Sequence, residues 1–168
     1  MFSFFTVKAK NTKEKVLLEI DELEKVLKLS KKLTNKQIGR LAKYLRKHPP
    51  AERYNLISAD IQQALATDET IPSDFNVESI QVEMMIANFR AGEMVSREKS
   101  KKAGITHVSI TFTPAMEYCE TAQKYRKKYD GKVVKLRDAP IFPLITCYGC
   151  NNCTRFIHVK HLVRGIDY

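Results

Sequence analysis

The chain has 168 residues, 43% of them hydrophobic, and a formal net charge of +10 at pH 7. This length suits one domain, or one domain with a small appendage, and it can bury a core without disulfide bonds. No apolar run approaches the length of a membrane span, and the apolar residues 1–7 are too few for a secretory signal. We therefore expect a cytoplasmic protein with reduced thiols and no membrane partner.

The positive charge is concentrated towards the two ends of the chain. Residues 1–60 contain 14 Lys and Arg against 7 Asp and Glu, and residues 97–168 contain 14 against 6. Residues 61–96 carry 1 against 6. Basic surfaces attract polyanions because neutralising phosphates releases counterions. The distribution therefore favours a nucleic acid as partner, although many small soluble proteins are basic without binding one.

The pattern of apolar residues predicts a mainly helical α+β fold in three regions. Residues 1–68 form a basic helical region, and residues 69–138 form a central helix–strand–helix region with a short strand pair. Residues 139–168 form a small segment rich in cysteine and histidine. The polar, proline-containing stretch at residues 67–74 separates the first two regions.

Three helices are predicted in the first region, after a segment at residues 2–7 that fits either a strand or an apolar arm. The first runs from about residue 11 to residue 32, and its apolar stripe suits either the core or the seam with a partner helix. Thr34 and Gln37 form a capping box that begins the second helix, and Pro49-Pro50 ends it. The third, at residues 51–66, fits either a recognition helix or a plain helical hairpin.

The second helix carries basic side chains around its apolar face. Their density predicts contacts to the phosphates of double-stranded DNA, which position a protein without specifying sequence. The candidate nucleic-acid-binding residues are Lys36, Arg40, Lys43, Arg46 and Lys47.

The central region is predicted to begin with a long helix from Asn76 to about Lys102, ended by Gly104. Residues 105–113 alternate apolar and polar side chains and predict a strand, and residues 133–136 predict a second. Between them a helix is expected to open at Thr113-Pro114 and to end at residues 130–131. Its tyrosines and lysines suit either single-stranded nucleic acid or a half-buried face with solvated lysines.

Three of the four cysteines and two of the four histidines lie within fifteen residues near the C-terminal end. Zinc prefers four tetrahedral nitrogen or sulfur ligands, and a two-residue spacer lets one tight turn present two of them. We therefore expect structural Zn²⁺, with the ligands drawn from Cys147, Cys150, Cys153, His158 and His161.

Other interpretations of this cluster stay open. The spacing of the three cysteines also begins an iron–sulfur motif, for which Cys119 is the remaining candidate ligand. A catalytic thiolate paired with His158 or His161 is a second alternative, and cysteines without a metal are a third. Outside the iron–sulfur case, Cys119 is expected to be a buried core thiol.

Two stretches, residues 33–50 and residues 147–158, together resemble the C subunit of the flagellar master regulator, FlhC, and its relatives on mobile elements. Residues 33–50 are similar to an early helix of that family, with matching leucines, a Lys-x-Leu-Arg element and a terminal Pro-Pro. The Cys147-x2-Cys150 pair, followed by Phe156-Ile157-His158, is similar to the family's first zinc-binding pair. No second Cys pair follows here, so Cys153 and the two histidines are candidates on chemistry alone.

The resemblance implies a transcriptional activator that binds DNA with a smaller partner subunit, and RNA polymerase is a further partner expected of such an activator. We therefore expect a zinc-stabilised DNA-binding regulator, not an enzyme, that works as an oligomer or with a partner subunit. Two alternatives are a protein-interaction module, such as an inhibitor or adaptor, and a small nucleic-acid-acting enzyme that uses a histidine of the cluster.

Overall fold

The structure, a computed structural model, describes residues 13–47, 77–114, 116–148 and 150–162. These residues form helices and a small antiparallel sheet, which confirms the mixed α and β fold class. In chain order the elements are α1 (Lys13–Ser30), α2 (Asn35–Lys47), a 3-10 turn (Val77–Ile80), α3 (Gln81–Lys102), β1 (His107–Phe112), α4 (Glu120–Tyr129), β2 (Lys132–Lys135), a second 3-10 turn (Ile145–Cys147), α5 (Asn151–Arg155) and β3 (Ile157–Leu162).

The helices α1, α2 and the first part of α3 share one apolar core. The predicted stripe of α1 is buried within the chain, with Ile20 at 0% and Leu27 at 1% exposure. It packs against Ile38 and Leu45 of α2 and against Met84 of α3. Of the two interpretations of this stripe, the structure therefore places it in the core.

The capping box at the start of α2 is confirmed. The backbone N–H of Gln37 donates to the Thr34 hydroxyl at 3.3 Å, and the Thr34 N–H donates to the Gln37 side-chain oxygen at 2.8 Å. Two donors that the helix itself cannot pair are thereby satisfied. The helix ends at Lys47, shortly before Pro49-Pro50. The segment at residues 2–7, the proposed third helix at 51–66 and the polar stretch at 67–74 lie outside the described residues.

The long helix α3 ends where the sequence predicts, at Lys102, but its start differs. A 3-10 turn at Val77–Ile80 precedes the α-helix, which begins at Gln81. At the other end Gly104 adopts a positive φ of 76°, which glycine tolerates without a Cβ clash. The N–H of Ile105 then donates to the Ser100 carbonyl at 2.9 Å and closes the helix.

The sheet has the order β2-β1-β3, and both pairings are antiparallel. The two predicted strands are confirmed as β1 and β2. The third, β3, was not predicted, because its residues belong to the stretch interpreted as a metal-binding tail. Phe112 of β1 pairs with Ile157 and Val108 pairs with His161, so the tail and the central region share one sheet.

The expected helix opening at Thr113-Pro114 is wrong. The helix α4 begins at Glu120, with Cys119 in extended conformation at its N-cap position. The Tyr118 hydroxyl lies 3.1 Å from the Thr113 carbonyl and 2.9 Å from the Phe156 carbonyl, and its ring packs edge-on against Phe112. These tertiary contacts of Tyr118 outweigh the local preference of proline for a first helical turn.

The two tyrosines that remain on α4, Tyr125 and Tyr129, stack on each other and are half-buried. Both rings pack against the sheet core, and Tyr125 also lies edge-on to Phe142 at a ring distance of 6.0 Å. This placement favours the interpretation of a half-buried face over a stacking platform for nucleic-acid bases.

Two arginines of α3 join the helices to the sheet. Arg90 donates to the Glu22 carboxylate of α1 at 2.5 Å and to the carbonyls of Ile141 and Pro143 at 3.0 and 2.9 Å. Arg97 donates to the Ala139 carbonyl at 2.6 Å. The loop before the cysteines is therefore fixed to α3 by charge-assisted hydrogen bonds, which are stronger than neutral ones.

Candidate metal centre and basic surface

The structure brings the four cysteines together at the ends of three short elements. Cys147 ends the second 3-10 turn, Cys150 precedes α5, and Cys153 lies within α5. Cys119 occupies the N-cap position of α4. The N–H of Cys150 donates to the Cys147 carbonyl at 3.0 Å, so one tight turn connects these two cysteines.

The sulfur atoms lie at separations that suit a single bound ion. Cys119 Sγ is 3.4 Å from Cys147 Sγ and 3.6 Å from Cys153 Sγ, and Cys153 Sγ is 3.1 Å from Cys150 Sγ. All four are free thiols, since a disulfide bond is only about 2.05 Å long. Sulfurs that share one tetrahedral ion at about 2.3 Å lie roughly 3.8 Å apart. Cys119, Cys147 and Cys153, whose sulfur atoms all lie within 4.8 Å of one another, could therefore hold a metal ion, and Cys150 adjoins this group through Cys153.

The surroundings of two thiols, those of Cys119 and Cys153, disfavour ionisation in the absence of a cation. Burial raises the pKa of Cys119. The hydrogen bond with Cys147, followed by burial, raises the pKa of Cys153 well above its ordinary value. A bound dication would reverse this balance, because it stabilises thiolates directly. The backbone N–H of Ala122 already acts in that direction, since its hydrogen bond lowers the pKa of Cys119.

The position of Cys119 corrects the expectation of an isolated core thiol. Cys119 lies 28 residues before Cys147 in the chain. The packing of β1, α4 and β2 brings these two cysteines together. The signal available in the sequence was the count of ligands, because three cysteines leave one position of a tetrahedral site open. Cys119 was considered as that fourth ligand only for an iron–sulfur cluster.

The two histidines expected to complete the metal site lie elsewhere. The Nδ1 atom of His161 is 2.5 Å from the Ser100 hydroxyl, and its Nε2 atom is 3.3 Å from the Glu93 carboxylate. His158 is exposed, and its Nε2 atom lies 3.4 Å from the Thr113 hydroxyl. The physical reason is β3, whose extended backbone carries both residues away along β1 instead of turning them back towards the cysteines.

The basic residues of α2 divide into two groups. Lys36, Arg40, Lys43 and Lys47 are exposed and follow each other at intervals of four, three and four residues. At 3.6 residues per turn these positions fall within an arc of roughly 60°, opposite the buried Ile38 and Leu45. They form a single stripe, which we call the α2 basic stripe.

Arg46 does not belong to this stripe, although the sequence grouped it with the other four. Its guanidinium points to α1 and donates to Asp21 at 2.7 Å and to Glu24. These hydrogen bonds raise the pKa of Arg46 further above its ordinary value. The structure thus places Arg46 as a link between α1 and α2, with its charge neutralised by two carboxylates.

Gly39 lies within α2, beside the α2 basic stripe. It is exposed, and a Cβ added there would meet no atom of the described residues within 4 Å. Glycine inside a helix costs about 1 kcal/mol relative to alanine. Packing among the residues that the structure describes therefore does not require glycine at this position.

None of the helices that the structure describes is both long and apolar enough to cross a membrane. Comparisons with protein-family models, curated proteins and solved structures find no match for this chain. The likeness to FlhC-type activators therefore stays a prediction from the two sequence stretches that carry it.

Proposed function

We propose that this protein is a DNA-binding transcriptional regulator, stabilised by a structural zinc ion and acting in an oligomer or with a partner subunit. The single observation that carries the DNA-binding part is the α2 basic stripe. It presents Lys36, Lys43 and Lys47 to solvent on the side of α2 that faces away from the core. The protein is not expected to be an enzyme.

Zinc suits the cysteine cluster better than the alternatives. Four cysteine ligands close a tetrahedral site and leave no position for a substrate, which is the pattern of structural zinc. An iron–sulfur cluster spreads its cysteines over several irons, and this would separate them more than the observed 3.1–3.6 Å. The ligands are Cys119, Cys147, Cys150 and Cys153, and the ion would fix the start of α4 to the start of α5.

The DNA-binding proposal follows from the geometry of the stripe. From Lys36 to Lys47 the helix rises about 16 Å, so several phosphates along a duplex backbone are within reach. The sequence of α2 contains no acidic residue that would repel them. Arg46 contributes indirectly, because its bonds to Asp21 and Glu24 hold α2 against α1.

A second candidate function is a protein-interaction module, and the observation that favours it is Phe89. This side chain on α3 is 44% exposed beside a groove of about 280 Å³ between α3 and β3. The histidine-based enzyme has less support, because both ring nitrogens of His161 are within hydrogen-bonding distance of Ser100 and Glu93.

The DNA-binding proposal is tested by the salt dependence of affinity for a duplex oligonucleotide of mixed sequence. Each lysine–phosphate contact contributes about 0.9 to the slope of log K against log salt concentration. The triple variant Lys36→Ala, Lys43→Ala, Lys47→Ala is expected to bind more weakly and to lower the slope by roughly two to three. Fluorescence anisotropy over a series of salt concentrations measures both quantities.

The matched control removes three exposed lysines outside α2, through Lys102→Ala, Lys127→Ala and Lys132→Ala. It changes the net charge equally and should leave most of the slope intact. Equal losses in the two triple variants would mean that net charge, and not α2, drives binding. A wild-type protein without measurable duplex affinity would reject the proposal and favour the interaction module.

A further inference from the structure

We propose that Gly39 is the point of closest approach between α2 and the DNA backbone, where a phosphate sits against the helix with Lys36 and Lys43 on either side. This inference rests on the proposed function, because it specifies how the α2 basic stripe meets its ligand. It assigns a role to a residue that carries no side-chain chemistry of its own.

The described part of the fold gives no reason for glycine at position 39. Gly39 does not adopt the positive φ that Gly104 and Gly131 adopt. As far as the described residues reach, a Cβ at position 39 would have open space around it. Alanine is the better helix former, so the glycine weakens α2 without a packing gain among these residues.

Gly39 lies next to two lysines of the α2 basic stripe on the helix surface. Residues three before and four after a helical position are its neighbours on the surface, and for Gly39 these are Lys36 and Lys43. The two lysines therefore flank a patch of bare backbone. A phosphate on that patch can receive both ammonium groups at once.

The missing side chain of Gly39 affects how closely a phosphate can approach the helix. Without a Cβ, a phosphate oxygen can approach the helix backbone more closely, as ligands do at glycines elsewhere. The attraction between opposite charges grows as their separation falls, and both lysines reach a closer phosphate with less loss of side-chain freedom. Even a methyl group at position 39 would hold the phosphate away.

Charge complementarity identifies the occupant as a polyanion. The α2 sequence contains four lysines or arginines on the stripe and no Asp or Glu. A phosphate is compact enough to fill the bare patch, whereas an acidic side chain would bring its own backbone and bulk to the same place. We therefore take duplex DNA as the ligand and treat an acidic protein surface as an outcome of the test.

The test compares two glycine-to-alanine substitutions in the full chain. Gly39→Ala and its matched control Gly92→Ala both replace a glycine within an α-helix, and position 92 has only an ordinary contact, to Lys15 Cε at 3.9 Å. Both variants should raise the melting temperature, because alanine favours the helix. Only Gly39→Ala should weaken binding to the duplex, by roughly tenfold at moderate salt. Gly39→Leu should weaken binding further.

A Gly39→Ala variant that is more stable and binds the duplex as well as wild type overturns this inference and leaves the proposed function standing. Loss of duplex affinity in Gly92→Ala to the same extent also overturns it. A wild type that does not bind the duplex overturns the inference together with the proposed function. Poly-L-glutamate serves as the probe of an acidic partner, and tighter, Gly39-sensitive binding to it than to DNA would overturn the choice of DNA.

Discussion

The helical region (α1, α2 and the first half of α3) and the sheet region (β1 to β3, α4 and α5) differ in the side chains that fill their cores. The helical region buries long aliphatic side chains, including Ile20, Leu27 and Ile38, at 0–1% exposure. The sheet region has strands of only four to six residues, and its core includes Cys147 and Cys153, with Cys119 and Cys150 packed against it. Both regions bury apolar side chains fully, and we propose that a metal ion held by the cysteines would add a cross-link to the sheet region.

The helix α3 belongs to both regions and determines how they are joined. Its first half contributes Met84 to the helical core, and its second half contacts the sheet through Arg97 and Ser100. Arg90 lies between and bonds to both sides. Changes at the proposed metal site, at Arg90 or at its partner Glu22 therefore test how strongly the stability of each region depends on the other.

Removal of the proposed zinc ion is expected to have the largest effect. Structural zinc in small zinc-binding peptides contributes about 10–16 kcal/mol at neutral pH. Chelation should therefore unfold the sheet region, with loss of amide protection in β1 and β3, while amides of α1 and α2 keep much of theirs. Hydrogen exchange measures the protection, and metal analysis should find one zinc per chain.

Two single substitutions distinguish a site formed by four cysteines from one completed by a histidine. Cys119→Ser should lose zinc, whereas His158→Ala should retain it, because His158 lies on an exposed strand position away from the thiols. Full zinc content in Cys119→Ser would reject the four-cysteine site. A metal-free wild type that is fully folded would contradict the contrast between the regions.

The next largest effect is expected from Arg90→Ala. This change removes one partner of the buried Glu22 and the donor to two loop carbonyls. Breaking such a buried pair costs about 3–5 kcal/mol, and the lower end applies because Lys25 still pairs with Glu22 at 2.7 Å. Urea unfolding measures the loss.

The control for Arg90 is Arg137→Ala. The side chain of Arg137 is 76% exposed in its ion pair with Asp138, and exposed pairs contribute little. A small effect of both substitutions would show that Arg90 does not couple the two regions. A large loss of amide protection that is confined to the sheet region would show that the helices do not depend on Arg90.

The smallest of these effects is a dependence of stability on pH through Glu22. Burial opposes ionisation of Glu22, but hydrogen bonds from Lys25 and Arg90 outweigh it and lower its pKa below the ordinary value. The ionised form is thus favoured by folding, and the stability it contributes is present above the ordinary glutamate pKa of about 4.3. It is lost as the pH falls through the lower folded pKa.

Glu22→Gln should therefore be less stable than wild type at pH 7, and the gap should close at more acidic pH. Urea unfolding at several pH values measures it. The control Glu98→Gln removes an exposed carboxylate that pairs with Lys101, and its effect should be smaller throughout because solvent screens that pair. A gap for Glu22→Gln that widens on acidification would contradict the assigned sign.

Features set by a few neighbouring residues were predicted well from the sequence. The capping box at Thr34 and Gln37, the end of the long helix before Gly104 and the alternation of β1 are local, and the structure contains each of them. The misplaced start of α4 has a different origin, since Tyr118 bonds to Phe156, which is 38 residues away. Local patterns at Thr113-Pro114 contain no information on that contact.

By itself, the sequence determined the mixed helical and strand character, the apolar stripes of α1 and α2, and a cysteine-rich stretch near the C-terminal end. Only the tertiary structure decided that Cys119 joins this site, that His161 faces Ser100 and Glu93, and that Arg46 turns to α1 while its neighbours face solvent. The reason is physical. Periodicity and capping depend on residues within a turn or two, whereas ligand sets and ion pairs depend on which distant elements pack together.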